Sequence, residues 1–246
     1  MAETVAEAKR CFQQGAAVLH AHVRDGNENH VLDPGLYHEL FDEMKVQVPE
    51  MLVQMTTEAV GRYSPNEQAE CVYRVGPRMI SMAVREMAPE GADLDLAKQF
   101  YLWTQKNRVH VQHIVFDTAD LERLYALQSQ GVVPHGKLCA LFVLGRFSEG
   151  RESIPEDIEP FLNFVEDKEI DWFVCAFGGQ EHACALQALK SGGHARVGFE
   201  NNLLLANGDT ATHSADLVMQ LKAAADREGI QIATAVEARS ILGVMD

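Results

Sequence analysis

Residues 17–25 read Ala17-Val18-Leu19-His20-Ala21-His22-Val23-Arg24-Asp25, and the reading of the whole chain turns on this stretch. An apolar run that ends in charged residues fits a strand buried on both faces of a parallel sheet, its C-terminal end at a polar mouth. Alternate side chains of a strand share a face, so His20 and His22 project side by side. In an α/β barrel that face opens at the C-terminal rim, where barrel enzymes place their chemistry. Two imidazoles held this way suit Zn²⁺ or another divalent metal, given a third, acidic ligand and an open position. A hydrogen-bonded histidine pair without metal is the alternative.

The same pattern recurs along the chain. Further apolar runs at 51–56, 79–84, 109–116, 137–144, 172–177 and 195–199 read as strands. Helical stretches alternate with them at 35–48, 65–75, 94–108, 119–130, 154–166, 181–189 and 212–228; one helix (3–14) opens the chain and another (235–242) closes it. A regular βα alternation predicts a parallel sheet with right-handed crossovers. No proline- or serine-rich linker divides residues 1–246, so a single (β/α) barrel domain is expected. The count gives seven strands where a closed barrel has eight. The expected fold is therefore a TIM-type (β/α)8 barrel lacking its first strand, with an open doubly wound sheet as the other architecture. Unpaired edges at such a gap invite association, so a homo-oligomer is expected.

Composition narrows the function. Hydrophobic residues make up 47% of the 246, enough for a large core, and the formal net charge is −15. Such a surface repels phosphate backbones and argues against nucleic-acid binding. It leaves room for an anionic small substrate, because a metal and a few arginines set the potential of a cleft. The five cysteines form no CxxC pair and read as reduced core thiols. No apolar run approaches the ~20 residues a membrane helix needs, and the start reads as an amphipathic helix rather than a signal peptide. A cytoplasmic location is expected.

Glu200 is the candidate for the acidic ligand that the histidines lack, with a solvated loop carboxylate the alternative. It follows the last predicted strand within Arg196-Val197-Gly198-Phe199-Glu200-Asn201-Asn202, and a barrel brings its last strand back beside its first. Arg196 precedes it by four residues, so on a strand the two side chains can share a face. There the guanidinium can grip a substrate carboxylate bidentately or pair with Glu200. Thr56, Thr57 and Ser81, at or near strand ends, are candidate substrate contacts, with loop capping the alternative for the threonines. Arg24 and Asp25 read as a supporting pair. The glycine pairs 178–179 and 192–193 lie where barrels often bind phosphate but read more simply as turns.

Taken in order, the segments 15–25, 192–203 and 232–243 resemble the β-keto acid cleavage enzymes, the family of 3-keto-5-aminohexanoate cleavage enzyme. The resemblance runs almost the whole length. It implies a (β/α)8 barrel, a homotetramer, and Zn²⁺ on His20, His22 and Glu200. It also implies a reaction in which a β-keto acid and acetyl-CoA yield acetoacetate and a new acyl-CoA. Arg196 matches the arginine that orients substrate and supports the catalytic acid. Asn201 stands where the family carries that catalytic aspartate, Glu58-Ala59 where it carries two glycines, and Gln112 and Ile114 in the region of a further acidic residue. An asparagine takes no proton at neutral pH. Two functions therefore stand: a metal-dependent acyltransferase, and a degenerate relative that keeps the pocket for a binding or assembly role.

Overall fold

The computed structural model describes residues 1–148, 150 and 152–244. Its strands are β1 (Val18–Ala21), β2 (Leu52–Thr56), β3 (Met79–Ala83), β4 (His110–Val115), β5 (Leu138–Leu144), β6 (Ile170–Ala176) and β7 (His194–Ala195). They form one parallel sheet in strict chain order. A doubly wound sheet needs a reversal of strand order, and this sheet has none. The architecture is a TIM-type barrel lacking one strand.

Every strand divides its residues between two environments, as the two-residue period of a strand requires. One set, including Met55, Ile80, Met82, Val115, Ala140, Phe142, Val174 and Ala176, packs outward under the helices in the main core cluster. The other set faces inward in layers. Leu52, Met79 and Cys139, with Val18 and Phe173, fill the bottom. Ala83, Ile114, Leu141, Val143, Cys175 and Phe177 fill the upper part. Between them lies a polar belt of Gln54, Ser81 and Gln112, all buried.

The helices are α1 (Ala2–Gln13), α2 (Pro34–Gln47), α3 (Pro65–Val75), α4 (Val84–Met87), α5 (Asp95–Lys106), α6 (Thr118–Ser129), α7 (Glu159–Val165), α8 (Glu181–Lys190), α9 (Ser214–Arg227) and α10 (Ala235–Leu242). Their ends are written locally. Ser64 and Glu67 form a capping box ahead of α3, Pro65 occupies its first turn, and Gly76 closes it at φ 61°. Thr234 and Glu237 repeat the box at α10, which Gly243 ends.

Among the described residues no ladder joins β1 to β7. Helices close that gap instead. α1 packs against α9, and Glu7 of α1 accepts from the Ala215 backbone at 3.1 Å and pairs with His213 at 3.2 Å. α10 stoppers the bottom of the barrel through Ala238 and Leu242. The last predicted strand is shorter than the 195–199 expected: after Ala195 the chain leaves the sheet and turns. Gly198, at φ 158°, lets it do so.

Ahead of β7, Gly193 lies flat against the Trp172 ring, which stacks on Phe142 at 5.6 Å. A Cβ at this position would overlap the indole. Gly193→Ala is therefore expected to destabilise the fold by about 1–3 kcal/mol, read as a lowered midpoint in chemical denaturation. An unchanged midpoint would mean that the indole has room to shift.

Candidate active site

His20 lies within β1, and His22 lies just past its end. Gln54, beside His20 in the β1–β2 register, places its Oε1 2.8 Å from His20 Nδ1. The Gln54 amide is oriented in turn, since its Nε2 donates to Gln112 Oε1 at 3.3 Å. With Gln54 accepting, His20 carries its proton on Nδ1, and its Nε2 presents a lone pair. That lone pair points at His22 Nε2, 3.1 Å away. On the other side of the His22 ring, Nδ1 faces the Glu58 carboxylate at 3.8 Å, which favours the proton there. The Glu200 carboxylate completes the group, 3.5 Å from His22 Nε2 and 3.9 Å from His20 Nε2. The three ligand atoms lie within 4.8 Å of one another. Two imidazoles and a carboxylate converge on one point, and without a cation the His22 ring can satisfy the 3.1 Å contact by donating from Nε2 to His20 Nε2.

Burial keeps these groups in ligand-competent states. It holds His20 well below its ordinary range, with Arg196 adding to the effect, and lowers His22 to about 4. Both rings are neutral at pH 7. Burial, the largest single influence, would raise Glu200, but Arg196, the two imidazoles and Arg146 together outweigh it and hold the carboxyl down to about 2. The Arg196 Nη2 reaches Glu200 at 3.5 Å and Cys175 Sγ at 3.4 Å. Its Nε and Nη1 are buried without a protein partner. Arg196 and Glu200 meet across a turn rather than along a strand, because the chain has already left β7.

These residues line a cavity of about 400 Å³, part of it open to solvent, together with Thr56, Glu58, Glu86, Arg146 and Phe177. Thr56 Oγ1 accepts from the Glu58 backbone at 3.1 Å, which turns Glu58 toward the cavity. Thr57 points elsewhere, its hydroxyl donating to Ser81 O at 3.0 Å. Ser81 lies in the buried belt, its hydroxyl unpartnered, and does not line the cavity. Arg24 and Asp25 shape the following loop: Arg24 donates to Glu28 O at 2.8 Å, and Asp25 accepts from Asn27 N and Asn29 N. Gly178 and Gly192 take positive φ in turns.

Asn201 is nearly buried, and its Nδ2 donates to Glu181 Oε1 at 3.3 Å. Glu181 also accepts from Gly198 N at 3.0 Å and Asn202 Nδ2 at 3.4 Å. One carboxyl thus pins the turn that presents Glu200. Sequence reading passed over Glu181, Gln54, Glu86 and Arg146. The available signal was position, since Glu86 and Arg146 sit just past strand ends and Gln54 shares the inward face of its strand with Thr56.

A profile of the β-keto acid cleavage enzyme family matches residues 1–244. The chain belongs to this family. Family relatives include the 3-keto-5-aminohexanoate cleavage enzyme of Acetoanaerobium sticklandii, 27% identical over 98% of this chain and 89% of that protein. Another is the 3-oxoadipate:acetyl-CoA acetyltransferase of Cupriavidus necator, 25% identical over 99% and 87%. Among solved structures, a ternary complex of ObcA with a C4-CoA adduct and oxalate superposes with a TM-score of 0.79 at 17% identity. It covers 97% of this chain, which spans 65% of that one, so the likeness speaks for the fold alone. Names of family relatives as cleavage enzymes and acetyl-CoA acetyltransferases support β-keto acid cleavage as this member's class of chemistry. No helix among the described residues is long and apolar enough to cross a membrane.

The Glu181 clamp carries a pH signature. Burial, opposed by its three donors, raises this carboxyl to about 7 in the folded protein. A raised acid pKa gives stability that is present below the unfolded value near 4.5 and is lost as pH rises through about 7. Relative to Glu181→Gln, the native protein should lose roughly 2–3 kcal/mol between pH 4 and pH 8, measured as the difference between the two denaturation free energies. A difference that stays flat with pH would contradict this.

Proposed function

We propose that this protein is a metal-dependent C–C bond-cleaving acyltransferase that takes a β-keto acid and acetyl-CoA to acetoacetate and a new acyl-CoA. The observation that carries the reading is the convergence of the His20 and His22 lone pairs with the Glu200 carboxylate. Two neutral imidazoles and one carboxylate match the donor set of a catalytic Zn²⁺. The 3.1 Å between the two Nε2 atoms is close to the ~3.3 Å expected of two nitrogens on one tetrahedral zinc. A divalent metal held there would supply a Lewis acid for the keto oxygen.

The protein's own groups do the rest. Arg196 keeps two buried donors free at the cavity, the number a bidentate grip on a substrate carboxylate uses. Its charge also faces the enolate that C–C cleavage generates, where fixed donors act most strongly. Thr56 holds the adjoining wall, and acetyl-CoA enters as cosubstrate. In this reading Thr57 and Ser81 act from behind that wall, through the backbone.

A second reading keeps the pocket for binding or assembly. Asn201 favours it, because its amide donates to Glu181 and it cannot serve as a base. Metal analysis of the purified protein, followed by acetyl-CoA-dependent acetoacetate release from a panel of β-keto acids, separates the two. His20→Ala and His22→Ala should each strip the metal and lower turnover by roughly 100-fold or more. Absence of turnover in both the native protein and Asn201→Asp would favour the binding role.

Gln54 offers a finer test. Gln54→Leu removes the acceptor that fixes the proton of His20 on Nδ1 and should weaken metal binding by about 10–100-fold, with circular dichroism unchanged. Equal affinity in a folded variant would show that the His20 tautomer does not depend on Gln54.

A further inference from the structure

The proposed reaction needs a group that removes a proton from the carbon between the keto and carboxyl groups, and neither Arg196 nor Asn201 can accept one. Among the described residues three carboxylates line the cavity: Glu58, Glu86 and Glu200. Glu200 is committed to the lone-pair cluster, with Arg196 3.5 Å away. Glu58 is paired with Arg146, whose Nη2 lies 3.2 Å from Glu58 Oε1. Glu86 differs from both.

Glu86 sits in α4, the short helix that begins directly after β3. One of its oxygens is fixed: Oε2 accepts from Ala59 N at 3.1 Å and from Gln68 Nε2 at 2.8 Å. Gln68 is itself held, since its Nε2 also donates to Thr57 O at 2.6 Å. The chain around Glu58-Ala59 therefore aims this carboxyl rather than merely crowding the cavity. Among the described residues the charge that acts on it is Glu58, which repels it. Burial raises its pKa, the direction that makes a carboxylate a better general base. Among the described residues, Glu86 is the lining carboxylate that two donors fix and no ion pair engages.

We propose that Glu86 is the catalytic base, an inference that rests on the β-keto acid reading above. The proton passes from the substrate α-carbon to the carboxylate of Glu86, and the C–H electron pair becomes the enolate that Arg196 faces. The enolate carbon then forms its bond to the acetyl carbonyl carbon, displacing CoA thiolate. The thiolate attacks the original keto carbon, the old C–C bond breaks, and the new acyl-CoA departs. Glu86 returns its proton to the carbon of the acetoacetate left behind, so no proton is gained or lost over the cycle.

The first half-step can be observed alone. With acetoacetate as probe in D₂O, metal-supplemented protein and no acetyl-CoA, methylene deuterium exchange is followed by proton NMR above the spontaneous rate. Glu86→Gln should lower the protein-dependent rate by about 100-fold or more, while metal content and acetoacetate affinity stay within a few-fold. Glu86→Asp, which keeps the charge on a shorter arm, should recover part of the rate and covers the case in which the glutamine variant fails to fold. Exchange by a metal-loaded Glu86→Gln within threefold of the native rate would overturn the role of Glu86 and leave the β-keto acid reading standing. No protein-dependent exchange in the native, metal-loaded protein would overturn both.

Discussion

The structure depends on one meeting: the end of β1 and the turn after β7 touch through side chains where no backbone ladder joins them. His20 and His22 arrive from the first strand, Arg196 and Glu200 from the last, and their contacts span 3.5–3.9 Å. A barrel with eight strands closes through hydrogen bonds. Here the closure is divided between helix packing outside and a charged cluster inside. α1 and α9 join on the outer surface, α10 fills the bottom, and Glu181 ties down the turn that bears Glu200.

The polar belt inside the barrel has the same logic. Burying Gln54 and Gln112 among apolar layers is unfavourable unless each finds a partner. Their side chains satisfy one another, and the direction of the chain is fixed at one end by His20 Nδ1. The belt therefore converts a requirement of folding into a choice of tautomer, and that choice decides whether His20 offers the cavity a lone pair or a proton. Fold and site share these atoms, so neither can drift alone.

Much of this was legible in the sequence because it follows from period and order. Seven apolar runs with intervening helices mark the barrel, and the alternation of His20 with His22 places both on one face. Glu200 could be assigned because a closing sheet brings its ends together whatever the intervening residues are. The length of β7 was not legible: Val197 and Phe199 read as strand, yet Gly198 at φ 158° takes the chain out of the sheet. Arg196 and Glu200 share a neighbourhood all the same, by a turn instead of a pleat. Nor was the support of the site visible. Glu181 sits between Gln180 and His182 at the start of a helix, and only the fold shows three donors converging on it. Glu86 and Arg146 are ordinary charged residues until the strands that precede them are arranged around a common mouth.

The charges of the cavity say what kind of ligand would complete it. With both imidazoles neutral, the described residues of the lining hold three carboxylates against two guanidiniums, Arg146 and Arg196, an excess of one negative charge. An excess of this kind in a partly enclosed cavity favours a counter-charge. A lone divalent cation overshoots by one unit, and a singly charged β-keto carboxylate beside it restores balance. A chain whose surface carries a net −15 could thus accept an anion at this one place, because a bound cation reverses the local field. An anion alone would deepen the imbalance, so the charge pattern would favour a carboxylate ligand only beside a bound cation.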